Sequence, residues 1–140
     1  VVGTKGANHI TGTNGPDRIL GLAGKDRLDG GRGNDCIDGG SSRDVISGGQ
    51  GDDRAWGKTG NDALNGGSGN DRLNGDSGKD SINTGFGRDR VNGGSGSDRI
   101  NAATAGPAAT IRGGSGRDTV RINRNERRKT RGAERVYVIR

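Results

Sequence analysis

Aspartate recurs every nine residues along most of this chain, with a glycine two residues before it and an aliphatic residue two after it. The stretch 66–101, GGSGNDRLN GDSGKDSIN TGFGRDRVN GGSGSDRIN, holds four such units in register. Carboxylates at a fixed spacing are hard oxygen donors. Calcium suits them, since it accepts about six to eight oxygens from carboxylates and backbone carbonyls in irregular geometry. Magnesium demands a stricter octahedron and keeps water. Zinc wants His or Cys, and the chain has one of each, His9 and Cys36. No nucleophile, histidine and acid can be assembled around a lone His9, so the chain is expected to be non-catalytic.

The units run almost end to end. Eleven follow without a gap over 3–101, then an eleven-residue slot without aspartate, AATAGPAATIR (102–112), then one more unit, GGSGRDTVR (113–121). Among these twelve, glycine fills the first position except at Thr84, and the fourth except at Ser42. Aspartate fills the sixth except at Asn8. The candidate metal ligands are therefore Asp17, Asp26, Asp35, Asp44, Asp53, Asp62, Asp71, Asp80, Asp89, Asp98 and Asp118. Each isolated aspartate could merely cap its own turn; eleven in register argue for a shared ligand.

Composition says what must position them. Of 140 residues, 31 are glycine, 25% are hydrophobic and 2% aromatic, which by itself suggests disorder. Strict periodicity overturns that prior. Fixed glycines mark turns, and the intervening three residues, with one inward aliphatic, make a very short strand. Such a strand is stable only when stacked on copies of itself. Two turn–strand units close a coil of 18 residues, so aspartates 18 apart stack along two rows. Like charges about 5 Å apart repel by roughly 1 kcal/mol in water and more near protein. A divalent cation between turns reverses that sign, and the aliphatic core is too thin to decide folding alone. Metal binding is therefore expected to be coupled to folding.

The units resemble the repeats-in-toxin (RTX) nonapeptide GGxGxDxUx, and the resemblance covers residues 3–121. It implies an all-β, right-handed parallel β-roll (β-solenoid) of about six 18-residue coils, with calcium in the turns and a secreted, extracellular setting. The domain reading is a roll over 1–121, degenerate at 102–112, and a basic capping segment over 122–140. By the resemblance, carbonyls of the first and third turn positions on one coil join those of the second and fourth on the next. That would set Gly66 and Ser68 against Gly85 and Gly87, around Asp71 and Asp89, with Gly67 and Gly69 in the same turn. About eight calcium ions are expected. Asn8, Ser42, Thr84 and the slot weaken their sites.

The net charge of +6 is unevenly placed. Residues 1–111 carry 13 basic and 14 acidic side chains, whereas 112–140 carry 10 basic and 3 acidic. The basic cluster Arg124, Arg127, Arg128, Lys129 and Arg131 could meet an acidic glycan or nucleic acid, or could be a solvated loop. VYVI (136–139) is expected to form a capping strand. Arg18, Arg54, Arg72 and Arg90 fall on one outward face, either offsetting local acidity or forming a polyanion stripe. The strand-ending Asn65, Asn74, Asn83, Asn92 and Asn101 suit amide ladders. Trp56 and Phe86 are expected to pack, His9 to be exposed, and Cys36 to point outward. No apolar run is long enough to span a membrane.

These readings converge on an extracellular calcium-binding structural or interaction module. The alternatives are an accessory domain or fragment of a larger secreted hydrolase or toxin, and a polyanion-binding adhesin acting through the basic C-terminal segment. Head-to-tail stacking of rolls into filaments is a further expectation, from open strand edges at the first coil.

Overall fold

The computed structural model describes residues 1–102, 110–123, 130–131 and 135–139. Every regular element among them is a strand. One parallel sheet has eight strands, β1 (His9–Thr11), β3 (Arg27–Arg32), β5 (Val45–Gln50), β7 (Ala63–Ser68), β9 (Ser81–Asn83), β11 (Arg99–Ala102), β13 (Thr119–Asn123) and β15 (Arg135–Ile139). The other has seven, β2 (Arg18–Leu20), β4 (Cys36–Asp38), β6 (Arg54–Trp56), β8 (Arg72–Asn74), β10 (Arg90–Ser95), β12 (Thr110–Ser115) and β14 (Thr130–Arg131). The chain alternates between sheets, so each strand pairs with the one two elements away. This is a β-solenoid.

The ladder follows the repeat. Ile10 pairs with Leu28, Leu28 with Ile46 and Ile46 with Leu64. Across the slot the register advances by 20 residues instead of 18, so that Val91 meets Ile111 and Ile100 meets Val120. Ile111 thus takes the aliphatic position of the slot. The eighth-position residues from Ile19 to Val120 form the buried core, joined by Ala102 and Ile122, with Ile10 partly covered at one end. At the other end β15 pairs with β13, Val120 against Val136, where a capping strand was expected.

Two local expectations need correcting. The strands are not all three residues long: β3, β5, β7, β10 and β12 run six, because the glycine pair after the aliphatic unit continues the ladder, as where Gly31 pairs with Gly49. Phe86 does not pack inward; its third turn position points outward and leaves it 66% exposed. Glycine is required within the turns by contact as well as by φ. Gly67 has φ +101°, and a Cβ there would run into the carbonyl oxygen of Gly49.

Candidate metal centre

Side chains alternate in and out at the strand entries. Asp26, Leu28 and Gly30 are buried, while Arg27 between them is exposed. The aspartate therefore belongs to the interior, on the same face as the aliphatic core. Two rows result, Asp26, Asp44, Asp62, Asp80, Asp98 and Asp118 along one side, and Asp17, Asp35, Asp53, Asp71 and Asp89 along the other.

Each row is tied by one repeated hydrogen bond. The backbone N–H of Asp26 donates to Asp44 Oδ1 at 2.8 Å, that of Asp44 to Asp62 at 2.8 Å, and that of Asp62 to Asp80 at 2.8 Å. The second row repeats this from Asp17 to Asp89. The bond even crosses the slot, from Asp98 to Asp118 at 2.9 Å. One oxygen of each carboxylate except that of Asp17 is consumed in this way, Asp26 accepting from the N–H of Asn8. The other, Oδ2, is buried with no hydrogen-bond partner in Asp26, Asp35, Asp44, Asp53, Asp62, Asp71, Asp80, Asp98 and Asp118. Each such atom costs on the order of 1–3 kcal/mol unless something external satisfies it.

Backbone carbonyls meet these oxygens between coils. A Cβ built on Gly39 would lie 2.8 Å from Asp44 Oδ2 and 3.0 Å from the carbonyl oxygen of Gly57 on the next coil. Gly66 sees Asp71 Oδ2 at 2.5 Å in the same sense, together with the carbonyl of Thr84. Carbonyls alternate in direction along the turn. Phe86 N–H donates to Gly67 O and Gly69 N–H donates to Phe86 O, both at 2.8 Å, and Gly69 O faces Gly87. Across the gap between the units at 66 and 84, the facing carbonyls are thus Gly67 and Gly69 from one side, and Thr84 and Phe86 from the other. The structure divides the carbonyls differently from the resemblance-based pairing. Gly66 and Ser68 face back toward the unit at Gly48, as the bond from Gly51 N–H to Ser68 O shows. In a parallel ladder successive carbonyls bond to opposite neighbours, which fixes this division.

The donor set is all oxygen, and it fits a hard cation. No group of three or more His, Cys, Asp or Glu side chains comes together among the described residues, so backbone carbonyls must complete any shell. Another gap repeats the arrangement, with Ser42 O facing Gly60 as Gly69 O faces Gly87.

Burial also raises the carboxyl pKa values. Asp44, Asp71 and Asp80 are pushed from 3.8 to about 7, and Asp53 and Asp62 to about 6. Desolvation is the largest cause, the N–H from the preceding aspartate opposes it, and nearby carboxylates raise the values further. Asp35 and Asp98 move the same way for the same first reason.

The ends of the rows differ. Asn8 replaces an aspartate, and its Oδ1 accepts the N–H of Thr4 at 3.0 Å. Asp17 Oδ2 accepts both the N–H of Thr13 at 2.6 Å and its hydroxyl at 2.9 Å, which holds its pKa below the usual value. At Asp17 the local turn cap therefore uses the oxygen that its neighbours leave open. Thr84 is fully buried where other units have glycine. At the second turn position, Lys58 Nζ lies 3.9 Å from Asp38 and 4.0 Å from Asp76, and 6.0 Å from the Trp56 ring centroid. Sequence spacing held no signal for that contact, because it joins the ninth and second positions of different coils.

The RTX calcium-binding nonapeptide repeat matches this chain in four stretches, residues 2–37, 36–64, 65–100 and 109–121. The chain belongs to the RTX calcium-binding nonapeptide repeat family. Comparison with curated proteins finds no match. Membership carries calcium binding, and the interior of this RTX solenoid presents the oxygen donors that calcium needs. In this RTX chain His9 is exposed and Cys36 is a half-buried free thiol. Arg124, Arg127, Arg128 and Lys129 lie outside the described residues, as does the side chain of Arg131.

Proposed function

We infer that this chain is a non-catalytic, extracellular structural or interaction module whose folding is driven by calcium. The observation that carries the reading is the pair of aspartate rows, in which carboxylates such as Asp53 and Asp71 are buried with one oxygen committed to the backbone and the other without a partner. Removing so many carboxylates from water is unfavourable unless a cation joins them, so the metal supplies charge neutralisation and cross-links successive coils. Asp Oδ2 and inter-coil carbonyls such as Thr84 O and Gly57 O would hold it. Nine gaps are flanked by two aspartates, and Asp17 caps its own turn in one of them. That supports about eight ions. Sites of this kind in extracellular modules fill at roughly 0.1–1 mM calcium, which supports a secreted location.

Native mass spectrometry in calcium tests the stoichiometry. The reading expects about eight retained ions and far weaker retention of magnesium; no retained calcium would overturn it. Head-to-tail self-association is a second reading, favoured by β1, which pairs only with β3 and leaves its other edge open among the described residues. Light scattering of the calcium-loaded protein over a concentration series tests it, and a constant monomer mass would contradict it.

A further inference from the structure

The outer face of the seven-stranded sheet carries a feature that the solenoid does not require. Arg54, Arg72 and Arg90 are in direct register on β6, β8 and β10, and all three are exposed. Neighbouring strands are about 4.8 Å apart, so three arginines follow one another at one strand spacing. Like charges directly opposite one another destabilise a sheet. None of the three is within ion-pair distance of a carboxylate among the described residues. The equivalent register on the eight-stranded sheet carries Val45, Ala63 and Ser81. The same fold is therefore built there without the charge, and the ladder is not needed to offset the buried aspartates.

The ladder is flanked by two shallow grooves, and Arg72 and Arg90 line both. One side adds Arg88, Asn34 and Asn70 together with the carboxylates of Asp35, Asp52 and Asp53, and Asp52 Oδ1 accepts the N–H of Asn70 at 2.7 Å. The other side has no acidic residue and adds Trp56, Asn74, Asn92 and Arg112. Guanidinium forks bind carboxylate or sulfate in bidentate fashion, amide side chains match hydroxyl groups, and an indole ring offers an apolar face. This combination suits an acidic sugar chain better than a nucleic acid. Single-stranded nucleic acid is held by successive aromatic platforms, and Trp56 is the only aromatic residue lining either groove.

We propose that this face binds a linear acidic polysaccharide, with Arg54, Arg72 and Arg90 pairing its anionic groups and Trp56, Asn74 and Asn92 contacting the sugar rings. The site is distinct from the basic C-terminal segment; of the calcium rows, the buried Asp35 and Asp53 border only its more acidic groove.

The test uses the full chain in calcium, with circular dichroism confirming the β-fold of each variant. Affinity for a heparin fragment is compared with neutral dextran and with an oligothymidylate of matched charge. The triple variant Arg54→Gln, Arg72→Gln, Arg90→Gln is expected to weaken heparin binding by at least about tenfold and to flatten its salt dependence. A control triple on the opposite face and turns, Arg27→Gln, Arg43→Gln, Arg99→Gln, is expected to change it less than about twofold, in line with the small value of scattered surface charges. Arg72→Gln alone, at an exposed position, should give a partial loss should the triple variant fold poorly. Heparin binding that survives the ladder variants, equal loss in both triples, no binding to the acidic glycan, or tighter ladder-dependent binding of oligothymidylate would each overturn the proposal.

Discussion

The backbone N–H of Asp53 donates to Asp71 Oδ1 at 2.9 Å, and the other oxygen of Asp71 is buried without a partner. One carboxylate thus does two jobs. Its first oxygen spaces the coils, as an amide would. Its second is left at the junction with the next coil, where the carbonyl of Thr84 also points. The solenoid consequently places charge where an all-apolar interior would have none.

That division separates the two roles experimentally. Asp71→Asn retains an oxygen able to accept the Asp53 N–H but removes the charge. Calcium affinity is expected to fall about tenfold or more, roughly 1.4 kcal/mol, with the calcium-loaded secondary structure unchanged. Asp38→Asn removes a half-exposed carboxylate outside the rows, and Lys58 keeps Asp76 as a partner. Its effect should be below about twofold, as for exposed ion pairs. Isothermal titration of both variants is the check, and equal losses would show that the rows are not the ligands.

The raised carboxyl pKa values set a pH dependence with a definite sign. Without metal, the folded chain holds protons on Asp44, Asp71 and Asp80 up to about 7, whereas unfolded aspartate releases them near 3.8. The folded state binds more protons between those values, so this contribution is fully present below 3.8 and is lost as pH rises through 6 to 7. In EDTA, lowering the pH from 7.5 to 5 should therefore increase β structure. With calcium the order reverses, because the metal needs ionised carboxylates: affinity should fall on acidification through 7 to 6, and binding should release protons. Circular dichroism with pH-stat titration measures both. Calcium affinity independent of pH over this range would contradict the buried-carboxylate account.

Two glycines offer a steric test. A Cβ on Gly66 would sit 2.5 Å from Asp71 Oδ2 and against Thr84 O, whereas one on Gly15 meets nothing closer than Thr13 Oγ1 at 3.9 Å. Gly66→Ala should lower thermal stability in calcium by about 1–3 kcal/mol and reduce calcium stoichiometry. Gly15→Ala should be nearly neutral. Thermal denaturation with ion counting distinguishes them, and indifference to Gly66→Ala would mean that the gap is not a metal site.

Much of this was legible from spacing. A nine-residue period with one aliphatic position predicts stacked short strands, and it placed Leu28, Ile46 and Leu64 in one column, as observed. The aspartate rows were legible as rows for the same reason. Their burial was less so, because a charged residue between two turns reads as surface until the alternation Asp26, Leu28, Gly30 is seen to face one way. The direction of each carbonyl is not legible either, since it depends on the sense of the ladder, which turns Gly66 O and Ser68 O toward the preceding coil. The exposure of Phe86 follows from register and not from hydrophobicity, because its third turn position points outward. The Thr13 cap on Asp17 depends on a hydroxyl at one second turn position, a difference that a repeat consensus averages away.

The central claim is that calcium and folding are one equilibrium. Far-ultraviolet circular dichroism at pH 7.5 tests it most directly, starting in EDTA and titrating calcium into the millimolar range. The account predicts a chain with little β signal in EDTA and a cooperative, saturable gain of β structure as calcium is added, reversed by chelation. Full β structure in EDTA at that pH, unchanged by calcium, would contradict it.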